Sequence, residues 1–186
     1  MAGKPLVQYS LEAGLTSKYI DDVILTSNCP RCMSVAENMG VMVPFSRPES
    51  LSGDRVKSSS VIIHTVNYLK KHGREYQILV LLEPTSPLRT SHDIDAAFEK
   101  MMVSSAKSMV SVCLAEEQHP DFMLKLVTDH RLKSWNLAEF QGPRRQDLLE
   151  AYFQDGSIYI SFIEEYMKIK SFVHSDTAAF KMPKWK

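Results

Sequence analysis

The chain reads as an α/β protein with a mostly parallel sheet, and three observations lead there. Short runs rich in branched apolar side chains, Ile78–Leu82 and Ser108–Leu114, have the length of strands buried on both faces. Between and around them lie longer stretches with helical spacing, notably Val56–Lys71 and Ile94–Met102. Strands that alternate with helices in this way build a sheet covered by helices. The 186 residues suit one domain able to bury a substantial core.

Taken in order, Leu6–Ala13 carries apolar positions 6, 7, 11 and 13 and predicts a helix. Asp22–Thr26 predicts a short buried strand. Asn28 is placed to cap a following helix with Pro30 in its first turn, and Gly40 closes it. Val41–Val43 predicts another short strand, and Pro44–Asp54 a long polar loop. Val56–Lys71 buries Val56, Val61, Ile62, Val66 and Leu69 on one side and ends in lysines that suit a helix C-terminus. After Ile78–Leu82, Thr90-Ser-His-Asp93 predicts a capping box, with Asp in place of Glu, for the helix Ile94–Met102. Beyond strand Ser108–Leu114 the rhythm changes. Met123–Val127, a segment after Arg131, Ser157–Ser161 and Ala178–Met182 read as strands, and Ile163–Ile169 as a short helix. The expectation is a single domain over 1–186 with an excursion from about 115 to 155.

Bulk composition narrows the function classes. Lys+Arg and Asp+Glu both number 22, so no global charge calls for nucleic acid or an anionic membrane surface. No apolar run approaches the roughly 20 residues of a membrane span. The first residues lack the charged-then-apolar pattern of a secretory signal. Three cysteines, an odd number, speak against a disulfide framework and for a reducing, cytoplasmic setting.

Several stretches carry candidate chemistry. Glu83–Thr90 packs an acid, two prolines, two threonines, a serine and an arginine beyond the end of a predicted strand. Pro84 and Pro87 stiffen it, and ligands in open α/β sheets bind beyond the carboxyl ends of strands. An ordinary strand-to-helix turn accounts for it equally well. Cys29-Pro-Arg-Cys32 offers no second ligand pair for zinc, and a redox role needs it at a helix start. The plainer account is packing at that helix start. His64 reads as a satisfied helix histidine. Arg144, Arg145 and Gln146 could grip a carboxylate, and Asp155 with Tyr159 could bind a polyol. A solvated charged turn before a strand is the bland alternative.

Taken together, Pro84–Thr90, Arg47-Pro48-Glu49 with Leu51 and Asp54, Pro143–Leu148 and Asp155–Tyr159 resemble the CMP-sialic acid synthetases, the acylneuraminate cytidylyltransferases. The order and spacing of these pieces span nearly the whole chain. The resemblance implies a Rossmann-like nucleotide-diphosphosugar-transferase fold and a homodimer in which the 115–155 excursion reaches into the partner. It implies a nucleotidyltransferase that moves CMP from CTP to a nine-carbon acidic sugar with Mg²⁺, releasing pyrophosphate. A cytidylyltransferase for a KDO-like sugar fits the loop less well. Carried over by motif, Arg47, Ser58 and Ser60 are nucleotide contacts. Glu83, Arg144, Gln146, Asp155 and Tyr159 are sugar contacts, and Arg89 braces the loop.

Departures from the family pattern stand beside the matches. The family's phosphate loop is expected to precede Gly3-Lys4-Pro5, and its metal-holding Asp-x-Asp segment to follow Lys186. No metal ligand or catalytic residue is therefore assigned. Glu83 stands where the family usually carries Gln, Thr26-Ser27-Asn28 where Ser-Thr-Asp is expected, and Phe153 where an arginine is common. These differences leave room for a non-catalytic relative that dimerises or binds sugar without turnover.

Overall fold

The structure, a computed structural model, describes residues 2–116, 119–136, 142 and 144–186. Its elements in order are α1 (Leu6–Leu15), α2 (Pro30–Asn38), α3 (Ser58–Lys71), β1 (Ile78–Leu81), α4 (Ser91–Ser104), β2 (Ser108–Leu114), β3 (Leu124–Leu126), β4 (Leu132–Ser134), β5 (Tyr152–Phe162), α5 (Ile163–Ile169) and β6 (Thr177–Lys181), with four single-turn 3₁₀ segments between them. The main sheet has four strands in the order β1-β5-β2-β6.

Three of its strands run the same way, but β5 runs against both neighbours, so only the β2–β6 pair is parallel. The expectation of a mostly parallel sheet is corrected to a mixed one. The physical reason lies in the excursion: it leaves the sheet after Leu114 and re-enters opposite it, where Leu114 pairs with Tyr152. A strand that starts at the end where its neighbour stopped must run antiparallel.

Apolar runs alternate between two cores, as a strand's period of two requires. Ile78, Val80 and Leu82 join Met109, Cys113, Ile158 and Ile160 against α4 residues Ile94, Ala97 and Met101. Leu79, Leu81, Val110, Val112 and Tyr159 face the other way, against Ile62 and Ile63 of α3, Tyr166 of α5, and Phe172. The strand β1 thus packs on both faces, although each of its residues is only half-buried. Among the described residues it pairs with a strand on one side only, which leaves its outer edge open.

Asp22–Thr26 and Val41–Val43 do not form regular strands; they meet through isolated parallel bridges, Ile24 to Met42 and Ser27 to Ser46. A strand of full length needs a longer ladder than two separated bridges provide. Asn28 is not the cap of α2. Cys29 occupies that position without a side-chain cap bond, and Pro30 sits in the first turn. The capping box of α4 is present as expected: Asp93 N–H donates to Thr90 Oγ1, and Thr90 N–H donates to Asp93 Oδ2 at 2.8 Å. Helix α3 starts two residues later than its apolar pattern suggests, at Ser58. The small β3–β4 hairpin pairs with itself and not with the main sheet. No helix among the described residues is long and apolar enough to cross a membrane.

Candidate active site

A cavity of about 450 Å³ opens between the start of α3, the end of β1, the middle of β5 and the chain after α5. That is within the range of small-molecule sites. Its lining is apolar in part, from Leu81, Ile62, Tyr166 and Phe172, and polar in part, from Lys57, Ser58, Glu83, Gln154 and Lys170. Tyr159 packs with the apolar part, its ring tilted against Phe172 with centroids 5.3 Å apart.

Each part is held by its own hydrogen bonds. Phe172 follows α5 in a loop pinned to the sheet: its carbonyl accepts from Ser108 Oγ at 2.8 Å and from Thr177 Oγ1 at 3.0 Å. Lys170 adopts a left-handed conformation, φ 61°, which ends α5 and turns the chain towards the cavity. Opposite, the loop after β1 is drawn around the buried Arg89. Its Nη1 donates to the carbonyls of Ser157 at 2.6 Å and Glu83 at 3.2 Å, and its Nη2 to Ser10 Oγ at 2.6 Å. Ser10 in turn donates to the Glu83 carbonyl at 3.1 Å. Burial pushes Arg89 down to about 10, against the pull of Asp155, Asp93 and Glu83, so it remains a cation at neutral pH. The expected bracing role is what this geometry provides.

The carboxylate of Glu83 lies against the bulge of β5. The register between β2 and β5 slips between Val110 and Val112. Gly156 turns there with φ +81°, and a Cβ on it would stand 3.3 Å from Glu83 Oε2. Ser111 stitches the slip by accepting from Ile158 N–H at 2.8 Å and donating to Asp155 Oδ1. Asp155 also accepts from Ser157 N–H at 3.1 Å. Burial first, then the carboxylates of Glu83 and Asp155, push the Tyr159 phenol up, so it is a protonated donor at neutral pH.

The residues singled out from sequence are thus divided. Ser58, Glu83 and Tyr159 line one cavity. Asp155 sits behind it with its carboxylate engaged by Ser111 and the Ser157 backbone. Ser60 lies on α3, exposed and off the cavity wall. Arg47 is half-buried, and its Nε donates to Thr26 Oγ1 at 2.9 Å while Nη2 donates to the Thr26 carbonyl. Burial lowers its pKa. Arg144 and Gln146 are exposed on a 3₁₀ turn at Arg145–Asp147 and do not line this cavity. Gln141 and Pro143 lie outside the described residues.

Sequence reasoning missed Lys57, Gln154, Lys170 and Phe172. Lys57, next to Ser58, and Gln154, next to Asp155, had a neighbouring signal; Lys170 and Phe172 had none. His64, expected to be satisfied, is not: among the described residues its buried Nδ1 has no hydrogen-bond partner, and its ring meets Phe45 edge-on at 4.8 Å. As for a metal, the described residues contain no group of three or more His, Cys, Asp and Glu placed to hold one.

A mixed sheet with helices on both faces and a polar cavity beyond the end of β1 is the arrangement of the α/β nucleotide transferases. Solved structures agree at the level of fold. A CMP-2-keto-3-deoxy-manno-octonic acid synthetase complexed with CTP superimposes with a TM-score of 0.66 at 15% identity, covering 98% of this chain and 80% of the other. A 4-diphosphocytidyl-2C-methyl-D-erythritol synthase from Anaerococcus prevotii gives 0.60 at 11% identity, covering 99% and 79%.

Residues 1–172 match the cytidylyltransferase family, and the chain belongs to that family. Among curated relatives, the pseudaminic acid cytidylyltransferase of Campylobacter jejuni is 26% identical, covering 98% of this chain and 78% of that protein. The N-acylneuraminate cytidylyltransferase of Streptococcus agalactiae is 31% identical over 99% of this chain, which spans 43% of that longer protein. The CMP-N,N′-diacetyllegionaminic acid synthase of Legionella pneumophila is 30% identical, covering 95% and 75%.

Proposed function

We propose that the protein is a cytidylyltransferase that joins CMP, from CTP, to a nine-carbon acidic sugar, with the sugar seated in the cavity. The observation that carries this reading is the cavity itself, which brings Ser58, Glu83 and Tyr159 against the apolar wall of Leu81 and Phe172. A sugar that pairs hydroxyls with an apolar acyl group needs both kinds of wall. The relatives named for N-acylneuraminate, pseudaminic and diacetyllegionaminic acids support that substrate class.

In the reaction the sugar's anomeric hydroxyl attacks the α-phosphorus of CTP, a new P–O bond forms, and pyrophosphate departs. Tyr159 orients the sugar, and positioning supplies a large part of such rate enhancements. Arg47, Ser58 and Ser60 are the proposed nucleotide contacts. Asp155 acts by fixing the β5 bulge beneath Glu83 and Tyr159. Mg²⁺ is the proposed cofactor, and no step is assigned to it.

A homodimer belongs to the same proposal. Leu126 and Leu132 oppose each other on the β3–β4 hairpin and are 66% and 60% exposed, an apolar ribbon suited to a second copy. Arg144 and Gln146, off their own cavity, would approach the partner's sugar. Leu126→Lys is expected to convert a dimer to a monomer in sedimentation; a monomeric parent would remove this part. The three free cysteines fit a cytoplasmic setting.

The test of function is pyrophosphate release with CTP, Mg²⁺ and a panel of nine-carbon acidic sugars. Release with one sugar supports the enzyme. Sugar binding with no release would instead select a sugar-binding relative without turnover.

A further inference from the structure

The Cys29–Cys32 pair is not part of the cavity, and the structure does not bury it as simple packing. Cys29 is exposed at the start of α2, while Cys32 is half-buried in the first turn and packs beside Val7, Leu11 and Ala36. They stand three residues apart across the first turn of α2, Cys29 at its cap and Cys32 one turn in. Pro30 between them fixes the turn that brings residues 29 and 32 together. The third cysteine stands apart from the pair: Cys113 is buried in β2, and its thiol donates to the Met182 carbonyl at 3.4 Å.

We propose that Cys29 and Cys32 form a redox-active dithiol, with exposed Cys29 as the attacking sulfur and Cys32 as the resolving one, oxidised by a low-molecular-weight disulfide. The Cys29 thiolate attacks one sulfur of the disulfide and forms a mixed disulfide, releasing one thiolate that takes up a proton. Cys32 then loses its proton and attacks the Cys29 sulfur, closing an intramolecular disulfide and releasing the second thiol. The protein gives up two electrons and two hydrogens, and the small disulfide is reduced to two thiols.

The division of labour has an electrostatic basis. Hydrogen bonds from the Cys32 backbone and thiol, with the charge of Arg31 nearby, hold Cys29 below the ordinary thiol range. Burial and the neighbouring Cys29 push Cys32 up, as burial does for Cys113. A thiolate is the nucleophile in such exchanges, so exposure and low pKa fall on the same residue. The pair also adjoins the strut that holds Arg47. Cys29 N–H donates to Ser27 Oγ at 3.1 Å, and the Ser27 carbonyl accepts from Arg47 N–H at 2.9 Å. The chemistry itself does not depend on what the cavity binds.

The test is mass spectrometry of the whole chain and its peptides after exposure to glutathione disulfide at neutral pH. Expected are the loss of two hydrogens within the peptide holding both cysteines, an unchanged result in Cys113→Ser, and arrest at a glutathione adduct on Cys29 in Cys32→Ser. Alkylation of Cys29 in the reduced parent should outpace that of Cys113 by at least about tenfold. Failure to form the intramolecular disulfide, first reaction at Cys113, or unslowed reaction of Cys32 in Cys29→Ser would each overturn the proposal.

Discussion

Replacing Arg89 by Lys tests whether the loop beyond β1 is held by the guanidinium fork rather than by charge alone. The variant keeps a cation of similar reach, but its single nitrogen cannot occupy both the Nη1 position, which serves the Ser157 and Glu83 carbonyls, and the Nη2 position, which serves Ser10 Oγ. A hydrogen bond to a charged group contributes about 1.5–3 kcal/mol, and a buried acceptor left without its donor costs about 1–3 kcal/mol. Removing two of these three hydrogen bonds, with partial relaxation, should therefore destabilise the fold by about 4 kcal/mol. With a urea slope of about 2 kcal/mol/M for a chain of this size, the unfolding midpoint should fall by about 2 M. Arg74→Ala is the control. Its ion pair with Asp22, 3.4 Å long between half-exposed groups, is screened by solvent and should leave the midpoint almost unmoved. A midpoint shift for Arg89→Lys as small as the control's would refute the bracing argument, because the loop would then hold its shape without the fork.

Four other perturbations probe separate parts of the fold and site. Thr90→Ala removes the hydroxyl that caps α4 and should cost about 1 kcal/mol by thermal or urea unfolding, with no change meaning that the cap bond is idle. On the same cap, burial raises Asp93, but hydrogen bonds from Lys186 and Thr90 outweigh it and hold the acid below its ordinary 3.8. A carboxylate with a depressed folded pKa contributes stability above its unfolded value and loses it as pH falls through the folded one. The stability gap between parent and Asp93→Asn should therefore be full at neutral pH and close in strong acid; a gap independent of pH would contradict it. Gly156→Ala places a Cβ at φ +81° and 3.3 Å from Glu83 Oε2. The backbone strain alone is about 1–2 kcal/mol, which lowers Tm by roughly 3–6 °C, and an unchanged Tm would show that the bulge yields freely. Glu83→Gln should tighten binding of a carboxylate sugar near neutral pH. At about 5 Å and an effective dielectric of about 20, like charges repel by roughly 3 kcal/mol, so a tenfold gain is a conservative expectation. Equal affinity would remove Glu83 from the site.

What could be read from sequence followed from periodicity and local chemistry. The alternation of Ile78, Val80 and Leu82 with Leu79 and Leu81 encodes the two faces of β1, and Thr90 with Asp93 announces the start of α4 three residues apart. Ile163–Ile169 matches α5 residue for residue. The direction of β5 could not be read, because it depends on where a long excursion returns, and no local pattern records that. Asp22–Thr26 has the composition of a strand but only separated bridges to pair with, so its state is decided by its surroundings. At the site, the motif residues Glu83 and Tyr159 were legible. Phe172, which forms the facing wall, was not, because its position depends on Ser108 and Thr177 holding its carbonyl from elsewhere in the chain. Cys29 and Cys32 were visible as a pair, but their unequal exposure required coordinates.

The most direct measurement is a crystal structure of the protein soaked with the acidic sugar that its binding or turnover selects. Density between Tyr159, Glu83 and Phe172, with a hydrogen bond from the sugar to Tyr159, is the predicted result. Sugar bound elsewhere, with this cavity empty at saturating concentration, would contradict the account.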